Sequence, residues 1–166
     1  ALQSSGQISL ANIAAEFGGT APHAMSEYYG KDTVPSSGQI SCGNFHGTSN
    51  AIFVAATGGT ITTSGDYKIH KFTGSGTFSV SVAGNAAGSN QVEYLIVAGG
   101  GGGSSSQGGR DSELGGGGGA GGMQTSSTTV SATSYSITVG AGGANNALGG
   151  GWVGGNGSNS VGIGIT

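Results

Sequence analysis

Charge is scarce in this chain. Of 166 residues, four are Lys or Arg and seven are Asp or Glu, for a formal net charge of −3. Four cations cannot assemble a basic patch, which argues against a nucleic-acid partner. A surface so poor in charge suits pairing with other chains, since monomeric soluble surfaces are usually richer in charge. The single cysteine, Cys42, excludes an intrachain disulfide framework and a cysteine-based metal knot. No apolar run approaches the ~18 residues that a membrane-spanning helix needs, so no membrane insertion is expected. The first residues carry neither a basic region nor an apolar stretch, and no signal peptide is expected. Proline occurs only as Pro22 and Pro35, at segment junctions.

Glycine is what the chain has instead, 39 residues of it. Side-chain volume for a conventional core is correspondingly small, and stability has to come from backbone bonding or oligomerisation. Two tracts dominate. The first is Gly99, Gly100, Gly101, Gly102 and Gly103. The second is Gly115, Gly116, Gly117, Gly118 and Gly119, continued by Ala120, Gly121 and Gly122. A lighter cluster spans residues 140–157. A flexible linker is one reading. The other is an ordered array of extended, polyproline-II-like rods bonded to one another, which glycine permits because it lacks a Cβ. Collagen is excluded, since its strict glycine at every third position is missing.

The flanks favour order. Residues 92–97 (Val-Glu-Tyr-Leu-Ile-Val) run straight into the first tract, and residues 135–139 (Tyr-Ser-Ile-Thr-Val) run into the later cluster. Both read as strands from their β-branched and aromatic content. The ten glycines of the two runs are therefore the glycine-core candidates. Valine at Gly101 or Gly117 is expected to harm the fold more than valine at Gly157, read as a peripheral turn.

Residues 1–50 have a different character. Ser4-Ser5-Gly6-Gln7-Ile8-Ser9 returns as Ser36-Ser37-Gly38-Gln39-Ile40-Ser41. After the first copy, Leu10, Ile13, Ala14 and Phe17 fall on one face of a short helix, capped by Ser9 and stopped at Gly18. After the second copy a single turn is expected, with Phe45 in the slot of Ile13 and Cys42 in that of Leu10. Tyr28 and Tyr29 lie on a further short turn. Leu10, Ile13, Phe17, Tyr28, Tyr29 and Phe45 are the candidates for an assembly interface, with packing inside the module as the alternative.

The rest reads as a small antiparallel β scaffold. Residues 51–64 form a connector, in which 51–57 read as a strand or a plain connection and a strand and turn follow, and residues 65–166 form a glycine-rich β domain. Strands are expected at 67–72, at 77–82 with Phe78, Val80 and Val82 on one face, and at 92–97, buried on both faces. One or two more are expected within 128–139. Met123, Gln124 and Tyr135 are placed at turns beside the glycine tracts.

Catalytic chemistry is sparse. His23, His46 and His70 lie in unrelated segments without ligand spacing. Asp111 and Glu113 are too few for a calcium loop. No nucleophile elbow is present. The glycines after residue 98 complete neither a dinucleotide fingerprint nor a phosphate loop, because no apolar helix follows and the tract contains no lysine. No enzyme activity, cofactor or metal is expected. Trp152, Asn145 and Asn146 stand among the glycines and are the candidates for receptor contact, since recognition concentrates on loops held by a rigid scaffold.

Two resemblances follow from these stretches. Residues 5–49, with Ser-Gly-Gln-Ile-Ser-Leu-Ala-Asn-Ile-Ala-Ala-Glu-Phe and the later Asn44-Phe45-His46-Gly47-Thr48, resemble a module recurrent in tailed-bacteriophage virion proteins. Phe45-His46-Gly47 stands where family members commonly have Phe-Tyr-Gly. Residues 65–166 resemble the glycine-rich domain of phage tail fibres and adhesins, through Gly65-Asp66-Tyr67-Lys68, residues 92–103, residues 115–122 and Ser136-Ile137-Thr138-Val139-Gly140. The resemblance implies a mainly β fold with polyglycine-II-like rods and a virion location, in the tail. It implies other virion proteins as partners, a homo-oligomer with three subunits as the usual number, and a host-surface glycan or protein as receptor. A neck, tail-tube or capsid-decoration protein with no adhesive role is the alternative.

Overall fold

The computed structural model describes residues 1–104, 116–145 and 154–166. Gly115, Asn146 and Trp152 lie outside the described residues, as do Asp111 and Glu113. Among the described residues the fold is mainly β, with seven strands in antiparallel sheets and one short α-helix. Contacts divide it into two compact units. One is Ala1–Phe53 with Gly84–Asn90; the other is Val54–Ala83 with Gln91–Thr166.

The first unit is built on its repeat. Helix α1 (Leu10–Phe17) starts at Ser9, whose side chain accepts the Asn12 amide while the Asn12 side chain accepts the Ser9 amide. This reciprocal box satisfies two amides that a helix start leaves without partners. Ser41 and Asn44 form the same link between the Ser41 amide and the Asn44 side chain, at the start of a 3-10 turn (Cys42–Phe45). Gly6 and Gly38, one in each copy, both take positive φ, +94° and +89°, as the turn into each half requires. Ile13 and Phe45 occupy equivalent slots and are both fully buried. Tyr28, from a second 3-10 turn (Met25–Tyr28), meets Phe45 edge-on at 5.9 Å. Its hydroxyl donates to the Gly18 carbonyl at 3.0 Å and so ties the turn to the end of α1.

This arrangement corrects the interface reading of Ile13, Tyr28 and Phe45. Ile13, Tyr28 and Phe45 are interior residues of the module's own core. Leu10 and Phe17 pack against that core, and Tyr29 keeps 37% of its surface exposed. An apolar face on so short a helix is consumed locally, because the helix has no stability without docking.

Glu16 closes the same unit. Its carboxylate accepts the Asn50 amide at 2.8 Å, the Ala1 amine at 3.1 Å and the Ser49 hydroxyl at 3.4 Å. These bonds, the Asn50 amide foremost, hold its carboxyl below the ordinary value against the opposing effect of burial. A depressed folded-state pKa stabilises above the unfolded value and stops doing so as pH falls through the folded value. The unit is expected to loosen on acidification below the usual carboxylate range, and Glu16→Gln should abolish that component of acid sensitivity. Melting curves against pH check it.

In the second unit, β1 (Val54–Thr57), β4 (Gly76–Ala83) and β7 (Ser134–Ile137) form a sheet in the order β1-β4-β7. β2 (Thr60–Ser64) pairs with β3 (Tyr67–Lys71), and β5 (Gln91–Val97) with β6 (Met123–Thr129). Phe78, Val80 and Val130 form the core, with Phe72, Val92, Tyr135 and Ile137 against it. β1 falls in residues 51–57, the stretch read as a strand or a connector, and pairs with β4. Three expectations change here. Val82 is exposed, because the register slips by one residue between Val80 and Val82, opposite Ala55/Ala56, and breaks the alternation of faces. β5 alternates half-buried and exposed residues and is not buried on both faces. Met123 and Gln124 belong to strand β6 and are not turn residues, while Tyr135 lies in β7, within the strand read over 135–139.

Candidate functional site

The feature that sets this chain apart is what happens where the strands end. Four extended glycine-rich segments continue from them: residues 98–104 after β5, 116–122 before β6, 140–145 after β7, and 154–159. In the β5–β6 ladder, pairing runs residue by residue as far as Val97 opposite Met123. Beyond it, the bonding period becomes three. The amides of Ala98, Gly101 and Ser104 donate to the carbonyls of Gly122, Gly119 and Gly116. Those of Gly99 and Gly102 donate to Ser158 and Gly155. Those of Gly155 and Ser158 donate to Ala144 and Ala141, and Gly143 donates to Gly100. Residues 98–104 thus bond to 154–159, which bond to 140–145, which bond back to 98–104, and 116–122 attach outside this closed triangle. Consecutive residues of 98–104 face different neighbours. A strand, with side chains alternating at period two, cannot distribute its bonds this way.

Steric need follows the same period. A Cβ on Gly99 would stand 2.0 Å from the Ala141 carbonyl oxygen, and on Gly102 2.1 Å from that of Ala144. Gly118, Gly121, Gly140, Gly143, Gly154 and Gly157 are closed in the same way, each by a backbone oxygen at 1.9–2.0 Å. Each segment therefore holds two closed glycines three residues apart. Alanine, serine and asparagine occur only at the other positions: Ala98, Ser104, Ala120, Ala141, Ala144, Asn145, Asn156, Ser158 and Asn159.

Ser160 continues the series 154, 157, 160 and seals the junction with the strands. It is buried, its hydroxyl donates to the Val97 carbonyl at 2.7 Å, and it accepts the Gly140 amide at 2.9 Å. Ser160→Ala would leave both backbone groups without that partner, at a cost of about 1–3 kcal/mol. Urea denaturation of the variant checks this, and Ser160→Thr should recover part of the loss.

Of the glycine-core candidates, Gly99, Gly102 and Gly118 are closed; Gly100, Gly103 and Gly116 have a neighbour within 3.1–3.3 Å of an added Cβ; Gly101 has ordinary room at 3.5 Å. Gly117 and Gly119 meet nothing within 4 Å among the described residues. The ranking read from sequence is reversed, because Gly157 is a closed position, 2.0 Å from the Gly99 oxygen, while Gly101 and Gly117 are open. Asn145 is exposed at the end of its segment. Residues 104, 116, 145 and 154 all lie at the end of the bundle remote from the strands. Among the described residues, no three His, Cys, Asp or Glu side chains cluster as a metal site would require, and no helix is long and apolar enough to cross a membrane.

The glycine-rich domain family matches residues 72–166, a span that takes in β4 to β7 and all four glycine segments. The chain belongs to the glycine-rich domain family. Neither a curated protein nor a solved structure matches it. The family region begins at Phe72, which packs against the β core. Sequence inspection located the glycine tracts but missed their period. The signal that reveals it is the spacing of Gly140 and Gly143, and of Gly154, Gly157 and Ser160.

Proposed function

We propose that the chain is a structural component of a tailed-bacteriophage particle, a tail-fibre or tail-tip subunit. In this reading its glycine segments pack as polyglycine-II-like rods and hold the connecting turns outward for host attachment. The observation that carries it is the period-three bonding, combined with residues 104, 116, 145 and 154 all lying at the end opposite the strands. Such a body derives rigidity from backbone bonds and needs no charged or bulky side chain. Turns on a rigid body suit recognition. Asn145, Asn146 and Trp152 are the proposed contacts to a host-surface glycan or protein. The role is structural and adhesive rather than enzymatic, and needs no cofactor, nucleic acid or membrane insertion. Residues 1–50 serve attachment to other virion proteins, in a homo-oligomer with three subunits as the proposed number.

Gold-labelled antibody against the chain, applied to intact particles, tests this reading. Label at the distal tail, with adsorption to host cells blocked, is the expected result. Label on the capsid, neck or tail tube with unimpaired adsorption would overturn the adhesive role in favour of a non-adhesive virion protein. Particles that carry no label would remove the virion assignment altogether.

A further inference from the structure

The closed glycines are explained by the chain's own packing; three others are not. Gly117, Gly119 and Gly122 meet nothing within 4 Å of an added Cβ among the described residues. Their φ angles are not positive, so backbone conformation does not demand glycine either. Glycine at such a position is unfavourable, because it loses more conformational freedom on folding than alanine does. At the eight closed positions of the bundle, glycine marks a place where another backbone comes close. All three lie in segment 116–122, the member outside the closed triangle, whose residues 116–120 are exposed. They border an open groove of about 610 Å³, floored by residues 98–104 and bounded on the far side by Asn156, Gly157 and Asn159.

We infer that this groove and the outer edge of segment 116–122 receive an extended glycine segment from a second copy of this chain. The groove offers backbone amides and carbonyls between two extended segments, which is the environment that residues 98–104 already occupy within the fold. A segment with side chains could not settle at backbone distance from Gly117, Gly119 and Gly122; a glycine segment can, and this chain supplies several. No charged residue occurs in 98–104, 116–122, 140–145 or 154–159, so two copies meet without repulsion. The surface also runs on into an apolar patch. Leu95, Val97 and Met123 share one face of the β5–β6 pair, with Val97 opposite Met123, and are 64%, 52% and 71% exposed. Apolar residues so placed beside an open backbone edge mark an interaction surface. The inference stands on the backbone geometry and does not depend on the assignment to a virion.

Light scattering coupled to size exclusion, run on the full chain over a dilution series, tests it with two substitutions at open positions, Gly119→Val and Gly122→Val. The wild type is expected to self-associate. Each variant should keep the wild-type circular dichroism spectrum and weaken association by about tenfold or more, since one misplaced side chain at a packed interface is worth at least that factor. Leu95→Ser, outside the glycine segments, should weaken association in the same direction without touching the bundle. A strictly monomeric wild type at millimolar concentration would overturn the inference. So would folded variants that associate as tightly as the wild type, because the vacant space would then belong to the monomer. Variants that lose the wild-type spectrum at high dilution would also overturn it, since they would show the positions to be closed within a single copy.

Discussion

Gly143→Ala is expected to unfold the glycine bundle, whereas Gly117→Ala should leave it standing. The added methyl at residue 143 would lie 1.9 Å from the Gly155 oxygen, 2.6 Å from its carbon and 2.7 Å from the Gly102 nitrogen. All three are backbone atoms, so no side chain can swing aside. Segments 140–145 and 154–159 would have to part, and the bonds from Gly143 to Gly100, Gly102 to Gly155 and Gly155 to Ala144 would stretch together. Overpacking and the loss of bonds of this kind sum to about 3–5 kcal/mol. That is a large share of the stability of a small domain, roughly 5–15 kcal/mol. At Gly117 a methyl meets open space and restricts the unfolded chain, so the dilute monomer should be unchanged or stabilised by about 0.4–1 kcal/mol. Urea titrations of the two variants and the wild type measure the contrast. Equal midpoints for both would remove the distinction between closed and open positions.

Phe45→Ala is expected to have a comparable effect on the first unit. Phe45 is fully buried and lies edge-on to Phe17 at 6.3 Å and to Tyr28 at 5.9 Å. Truncating a buried phenylalanine costs about 3–5 kcal/mol in transfer and cavity terms. The unit's core has five buried residues, Ile8, Ile13, Tyr28, Val34 and Phe45, so no second cluster can absorb the loss. Units of this size are marginal even when intact. Calorimetry should show the transition of residues 1–53 moved to much lower temperature, and amide exchange there should accelerate. A shift of only a degree or two would mean that the ring is not a keystone of the module.

Much of the fold was legible wherever a side chain had to be satisfied. Ser9 was legible as the cap of α1, and the spacing of Leu10, Ile13 and Phe17 located the helix itself. The alternation of Phe78 and Val80 located the strand that carries the core. Legibility failed where side chains do not decide. Strand β6 is Met-Gln-Thr-Ser-Ser-Thr-Thr, too polar to signal a strand, and it exists because β5 supplies its ladder. Val92 to Val97 looked buried on both faces because its last four residues, Tyr94 to Val97, carry no charged or polar alternation, yet Leu95 and Val97 face outward. The glycine segments hid their period because open positions are also glycine, as at Gly101, Gly117 and Gly119. With no Cβ to place, only the neighbouring backbone distinguishes Gly102 from Gly101. The interface reading of Ile13 and Phe45 failed for a related reason: an apolar helical face does not say whether its cover comes from the same chain.

The central claim is that the glycine segments form an ordered, period-three array bonded through the backbone, and residue-resolved amide hydrogen exchange tests it most directly. Gly99, Gly101, Gly102, Gly143, Gly155 and Ser158, whose amides all donate to neighbouring segments, should be protected to a degree comparable with β5. Within 154–159, Gly155 and Ser158 should exchange slowly and Asn156, Gly157 and Asn159 rapidly, so that slow amides recur at every third residue. Random-coil rates through residues 98–104, or slow amides recurring at every second residue as in a ladder, would contradict the account.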